Sequence, residues 1–112
     1  MSDPVALYDE ADKLKDEGQL DEAVAKLNEA IQAEPNYALA HSALAIVLQK
    51  LGRHEEAIGH ARRACEIEPN DPFSYTALSV TYQRAFAGTN NMPYIRMAED
   101  AMEQSRVLQS RH

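Results

Sequence analysis

The sequence is poor in the residues and segments that mark several large classes of protein. Its 112 residues include no tryptophan and a single cysteine, Cys65, so no disulfide can form within the chain. A lone cysteine is typical of a reducing compartment, and we expect the cytoplasm. No segment approaches the 18 consecutive apolar residues of a membrane-spanning helix. The polar N-terminus does not resemble a signal peptide, so we expect no membrane partner.

Basic residues are also scarce. The chain has 11 lysines and arginines against 18 aspartates and glutamates, which gives a net charge of −7. Proteins that bind nucleic acid usually present a basic surface, so we expect no nucleic-acid partner. The charge is unevenly distributed, because residues 1–34 contain ten acidic and three basic residues while residues 35–112 are balanced. The whole net charge therefore belongs to the first third of the chain.

The few glycines and prolines stand at regular positions and reveal an internal repeat. Four pairs of identical residues are each separated by 34 positions: Gly18 and Gly52, Ala23 and Ala57, Ala30 and Ala64, and Pro35 and Pro69. Several matches in one register indicate tandem copies of one structural unit. A third copy begins near Pro72, but its register slips after Arg84. The insertion is about seven residues if Ala98 corresponds to Ala57, or about ten if Ala101 does, and both alignments stay open.

Each copy has the pattern of two helices. Apolar residues recur at helical spacing on both sides of Gly18 and Gly52, and glycine readily adopts the left-handed conformation that ends a helix. Pro35 and Pro69 are expected to end the second helices, because the residue before a proline avoids helical backbone angles. We therefore predict six helices and no strand. The small residues Ala23, Ala30, Ala57 and Ala64 are expected where helices approach closely.

This arrangement resembles the tetratricopeptide repeat family. The segments from Gly18 to Pro35 and from Gly52 to Pro69 match its pattern well, whereas the third copy matches in its first helix and departs after Arg84. The resemblance implies an all-α, right-handed superhelical solenoid of three helix–turn–helix hairpins. It implies a single domain over 1–112, with repeats at about 4–37, 38–71 and 72–109. The expected function is that of a non-catalytic adaptor or scaffold that binds another protein.

The resemblance also implies a binding groove on the concave face of the first helices. Its candidate residues are Val5, Tyr8, Asp9, Asp12, Leu39, Ser42, Ile46, Gln49, Lys50, Phe73, Thr76, Val80, Gln83 and Arg84. For Val5 and Tyr8 an equally good interpretation is that they only cover the first helix and bind no partner. One subfamily holds a chaperone tail with a clamp of Lys, Asn and Arg. Those positions carry Tyr8, Asp12, Ala43, Phe73 and Ala77, so we do not expect that ligand.

The charge pattern suggests the polarity of the ligand. Acids on one face of the first helix, such as Asp9 and Asp12, favour a basic end of a bound peptide near the first repeat. Lys50 and Arg84 favour an acidic group near the third. The alternative is that the acids only keep the solenoid in solution.

No pattern in the sequence indicates catalysis or a cofactor. Phosphate loops, dinucleotide fingerprints and nucleophile elbows are absent. His41, His54, His60 and His112 form no pair spaced for metal binding, and Cys65 lies on an apolar helical stripe. We expect no catalytic residue, no metal and no cofactor.

The last helix, at about Pro93 to Gln109, is apolar on more than one side. Solenoids of this kind usually end with a polar capping helix, and none follows this helix in the sequence. We therefore expect Ile95, Met97, Met102 and Leu108 to form a surface that another chain covers. The alternative function is then a self-assembling module, a homo-oligomer joined through this helix.

Overall fold

The computed structural model describes residues 3–111, so Met1, Ser2 and His112, with the outermost ends of the predicted domain, lie outside the described residues. This part of the chain folds into six helices and contains no strand. The helices are α1 (Pro4–Asp16), α2 (Leu20–Ala33), α3 (Ala38–Lys50), α4 (His54–Ile67), α5 (Pro72–Thr89) and α6 (Pro93–Ser110). The predicted all-α fold is confirmed. Within residues 3–111 the longest helices are too polar to cross a lipid bilayer.

The ends of the helices follow from local chemistry. Gly18 and Gly52 have φ angles of 81° and 78°. These angles lie in the left-handed region, which residues with a β-carbon rarely adopt. Glu34 and Glu68, each before a proline, have non-helical angles and end α2 and α4. These features are those predicted from the sequence.

Two helices begin with an Asp-Pro cap that was not predicted from the sequence. Asp3 and Asp71 each precede a proline, and their carboxylates accept hydrogen bonds from the backbone N–H groups of Val5 and Phe73, at 3.0 and 2.9 Å. Proline fits the first helical position because its missing N–H would have no partner there. The Asp-Pro dipeptides therefore fix the starts of α1 and α5.

The helices pack as a stack of hairpins. Each odd-numbered helix packs most extensively against the next helix in the chain, and α2 and α4 connect one hairpin to the next by contacting α3 and α5. The alanines at the predicted close contacts, Ala23, Ala30, Ala57 and Ala64, are each 0% exposed. Helices α1, α3 and α5 also touch one another in sequence. The faces of α1, α3 and α5 that do not pack against other helices consequently form one continuous surface.

The third hairpin differs from the other two in the length of its first helix. Helix α5 has 18 residues, whereas α1 and α3 have 13 each. Helix α6 begins 39 residues after α4 begins, five more than the repeat length of 34. The loop before α6 has three residues, as do the corresponding loops of the first two hairpins. Measured between helix starts, the insertion is thus five residues, fewer than the seven or ten that the alanine alignments predicted. It lengthens α5 by more than one turn, and Asn90, with a φ of 60°, ends that helix in place of a glycine.

Candidate partner-binding groove

A row of exposed apolar side chains crosses the first helices at equivalent positions. Val5, Leu39 and Phe73 are each the second residue of their helix, and they are 56%, 59% and 79% exposed. They are exposed because the buried stripes of these helices, for example Leu7 and Ala11 in α1, point towards the partner helix of the hairpin. Large apolar groups aligned in this way are typical of interaction surfaces.

Between α1 and α3 the surface deepens into a cavity of about 220 Å³. Five of the predicted groove residues line it: Tyr8, Asp12, Leu39, Ser42 and Ile46. The ring of Tyr8 also packs against Tyr37, with ring centroids 5.9 Å apart. Tyr8 is thus half-buried and contributes both to the wall of the cavity and to the contact between hairpins.

A second cavity of about 230 Å³ lies between α3 and α5. Leu39 and Ser42 line this cavity as well as the first, and Phe73 contributes the opposite wall together with Ala77. The two cavities therefore meet at Leu39. An extended segment that crossed the face would place successive side chains into them.

The charged groups of the face are segregated. Asp9 and Asp12 are exposed on α1, and Asp12 lies 3.4 Å from the ammonium of Lys15. Lys50 and Arg84 lie at the other side, where they line an opening of about 320 Å³ with Gln49 and His54. No acid within residues 3–111 forms a salt bridge with Lys50 or Arg84.

Some predicted groove residues do not line the two cavities between the first helices. The hydroxyl of Thr76 lies 2.7 Å from that of Ser105, so Thr76 is directed towards α6. Gln83 donates a hydrogen bond to the Ser79 hydroxyl at 3.2 Å and lines a cavity between α5 and α6. Val5, Asp9 and Val80 are exposed but line none of the cavities described here.

The cavity between α5 and α6 is larger, at about 570 Å³. Phe86, Ile95 and Met102 provide its apolar wall, and the rim contains Glu99, Asp100, Glu103 and Arg106. Met97 is 41% exposed but lies outside this cavity. The placement of Leu108 on the exposed surface was wrong, because Leu108 is 3% exposed. It follows Ala98, Ala101 and Ser105 at helical spacing on the face that α5 covers.

Two histidines of the second hairpin make a contact that was not predicted from the sequence. The Nδ1 atoms of His41 and His60 are 3.1 Å apart, and the rings stack with centroids 5.3 Å apart. The sequence carried no local signal for this contact, because the two residues are 19 positions apart on different helices of the second hairpin. Burial and the neighbouring His41 lower the pKa of His60, and Glu56 opposes this shift.

The remaining reactive groups suit a structural role. Cys65 is 6% exposed, and burial raises the pKa of its thiol to about 11, so the nucleophilic thiolate is scarce at neutral pH. Within residues 3–111, histidine, cysteine and acidic side chains do not gather in threes as a metal site requires.

The described residues form a stack of antiparallel helical hairpins whose first helices share one continuous surface. This architecture defines the class of helical repeat solenoids. Two family models match the chain. One, described as a TPR repeat, covers residues 11–52, and the other, described as a tetratricopeptide repeat, covers residues 38–71. The chain therefore belongs to the tetratricopeptide repeat family, whose members are in general protein-interaction modules. Neither match extends into α5 or α6.

Solved structures share the fold. A crystal structure of MamA has a TM-score of 0.82 and 18% identity, covering 96% of this chain and 59% of that one. The second TPR of Spaghetti (RPAP3), bound to the HSP90 peptide SRMEEVD, has a TM-score of 0.78 and 19% identity, covering 94% and 91%. MamA from residue 41 to its end, from Desulfovibrio magneticus RS-1, has a TM-score of 0.75 and 22% identity, covering 98% and 58%.

The chain thus spans about 59% of the length of the MamA crystal-structure chain. At these identities the likenesses establish the fold alone. No curated protein sequence matches the chain.

Proposed function

We propose that this chain is a non-catalytic interaction module that binds an extended peptide segment of a partner protein across α1, α3 and α5. The observation that carries the proposal is the exposed row of Val5, Leu39 and Phe73 beside two cavities that meet at Leu39. An apolar side chain of the ligand fills each cavity, and burial of such groups supplies most of the affinity. In this proposal residues 1–112 are one domain of three repeats in the reducing cytoplasm.

The charges give the ligand a polarity. The basic end of the peptide lies near Asp9 and Asp12, and an acidic group lies near Lys50 and Arg84. The solved structure of the RPAP3 domain, which has this fold, contains a bound peptide. This supports the proposal that the present chain also binds a peptide. The clamp positions of chaperone-tail adaptors carry Tyr8, Asp12 and Phe73 among others here. A different ligand is therefore proposed.

The test begins with peptides selected from a random display library on the parent protein. Phe73→Ala and Ile46→Ser should weaken binding of the selected peptides about tenfold or more, as is usual for a central apolar contact. Because Phe73 is 79% exposed, Phe73→Ala should change the free energy of unfolding by less than about 0.5 kcal/mol. Met92→Ala, at an apolar residue that is 65% exposed outside the groove, is the matched control.

Calorimetry gives the affinities, and urea unfolding gives the stabilities. Unchanged affinity in both groove variants would exclude this face as the binding surface. Unfolding of both variants before binding is lost would instead assign these side chains to the core.

The alternative proposal is self-assembly through the cavity between α5 and α6. The observation that favours it is the apolar wall of Phe86, Ile95 and Met102 in a cavity of about 570 Å³. A dimer or larger oligomer is expected at high micromolar concentration, and Met102→Glu or Ile95→Glu should return it to monomer. Leu108→Glu is unsuitable because a carboxylate at that buried position destabilises the fold. Sedimentation of the parent as a pure monomer at that concentration would eliminate this alternative.

A further inference from the structure

An open pocket of about 320 Å³ lies at one corner of the groove and has a composition unlike the rest of it. It is lined by Gln49 and Lys50 at the end of α3, His54 at the start of α4 and Arg84 in α5. Lys50 and Arg84 are 34 positions apart, so they occupy the same place in two neighbouring copies of the repeat. Because α3 and α5 are in contact, the two cations lie beside one another.

The lengthened helix α5 contributes Arg84 to this pocket and continues beyond it. Its last turn, which α1 and α3 lack, passes beside the start of α4. Gly88 in that turn touches the imidazole of His54 so closely that a β-carbon at position 88 would overlap the ring. Gly88 is thus favoured by a close approach rather than by its backbone angles, because a β-carbon there would push the His54 side chain aside.

The polar groups around the pocket lack partners within the protein. Lys50 and Arg84 form no salt bridge in the described part of the chain, and Gln49 Oε1 and His54 Nδ1 are buried without a hydrogen-bond partner there. Buried polar atoms normally have partners, because desolvation without a hydrogen bond costs free energy. The acid next to His54 in sequence, Glu55, does not line the pocket, and Glu56 is bound to Arg53 at 2.6 Å.

We propose that this pocket binds a carboxylate of a peptide together with the adjacent amide N–H group. Lys50 and Arg84 neutralise the carboxylate. The side chains of Gln49 and His54 turn towards the ligand from their buried positions, so that Gln49 Oε1 accepts from the amide N–H and His54 Nδ1 donates to the second carboxylate oxygen. An inorganic phosphate supplies the charge but has no N–H group for Gln49. The site deepens the proposed function, on which it rests, because it fixes where an acidic or C-terminal residue of the groove ligand lies.

Its residues differ from the clamp positions of the chaperone-tail adaptors, here Tyr8, Asp12, Ala43, Phe73 and Ala77. The additional turn of α5 that carries Gly88 is also specific to the third hairpin. The pocket is therefore a feature of this chain rather than of the repeat.

The test is an NMR titration of the 15N-labelled chain with N-acetylglycine, which carries a carboxylate and one amide N–H. Propionate, inorganic phosphate and the neutral N-methylamide of N-acetylglycine are titrated in parallel, all at constant ionic strength. We expect saturable shifts of the amide signals of Lys50, His54 and Arg84 and of the Gln49 side-chain amide. N-acetylglycine should bind at least about threefold more tightly than propionate or phosphate, because only it satisfies Gln49 Oε1.

Arg84→Gln and Lys50→Gln should each weaken N-acetylglycine binding about fivefold or more. Arg96→Gln, which removes an exposed arginine of α6 outside the pocket, should leave it unchanged. Equal affinity for phosphate and N-acetylglycine would overturn the proposal, as would shifts that do not saturate or that give the same affinity in Arg84→Gln as in the parent. These probes are too small to span the groove, so their binding does not depend on Phe73. A peptide insensitive to Phe73→Ala would refute the groove while leaving this site intact.

Discussion

At the residue scale, the two stacked imidazoles of the second hairpin link stability to pH. His41 Nε2 lies 3.0 Å from the carbonyl oxygen of Pro35, which only accepts, so this nitrogen carries the proton. His41 Nδ1 is then an acceptor, and His60 Nδ1 donates to it across 3.1 Å. The arrangement requires His41 Nδ1 to carry no proton, because a proton there would place two donors face to face.

The expected consequence is a loss of stability in mild acid. Burial and His41 lower the pKa of His60 in the folded state below its usual 6.5. The unfolded chain therefore takes up a proton more readily, so the contribution is complete above about pH 6.5 and is lost as the pH falls towards the folded-state pKa. Urea unfolding at about pH 7.5 and about pH 5.5 should show a smaller difference for His60→Gln than for the parent. The same pH dependence in both proteins would show that the pair does not titrate with folding.

At the scale of the elements, the tight contacts between helices depend on single small residues. Ala57 is the fourth residue of α4 and is 0% exposed, at the place that the 34-residue register assigns to a close helix contact.

Ala57→Phe should overpack this contact and cost about 1–3 kcal/mol of unfolding free energy. Ala25→Phe, at an exposed position of α2, is the control and should change stability by less than about 0.5 kcal/mol. Thermal and urea unfolding measure both. A neutral effect of Ala57→Phe would show that the helices are farther apart at this point than the register implies.

Helix α5 offers a second test, because Gly88 lies inside it against His54. Alanine is favoured over glycine in a helix by about 1 kcal/mol, yet a β-carbon at position 88 overlaps the His54 ring. Gly88→Ala should therefore give no gain in the parent and should stabilise the His54→Ala variant. A double-mutant cycle in urea measures this coupling. If alanine at position 88 has the same effect in both backgrounds, Gly88 and His54 are not in contact.

At the scale of the whole molecule, the division of charge decides how a ligand approaches. Residues 1–34 carry the entire net charge of −7. Asp9 and Asp12 are exposed on α1, and Asp12 lines the cavity between α1 and α3. Exposed charges add little affinity individually, but together they orient an approaching partner and raise its association rate.

A peptide with a basic end should therefore associate more slowly as salt rises, since the Debye length falls from about 10 Å at 0.1 M to about 3 Å at 1 M. Asp9→Asn/Asp12→Asn should flatten this dependence in stopped-flow measurements. Asp21→Asn/Glu29→Gln removes the same charge from exposed positions of α2 and should flatten it less. If the association rates of the parent and of the Asp9/Asp12 variant depend equally on salt, these acids serve only to keep the protein in solution.

The six helices, the ends of α1 to α4 at glycine or proline, and the repeat were predictable because they depend on interactions within a few residues. The Asp caps of α1 and α5 and the end of α5 at Asn90 were not predicted. Glycine at positive φ, proline after a helix and apolar residues at a 3.6-residue period act locally, and they located all six helices. The row of Val5, Leu39 and Phe73 was also predictable, since identical spacing places equivalent residues on the same face.

The orientation of each helix about its axis was decided only by tertiary packing. One residue corresponds to about 100° of rotation, so an apolar pattern on several sides of α6 did not show that α5 would cover Leu108 and leave Met102 partly exposed. The same freedom concealed the direction of Thr76, the meeting of His41 with His60 and the closure of Gly88 over His54. These contacts join residues at least 19 positions apart, and no local rule of sequence determines the angle at which two helices meet.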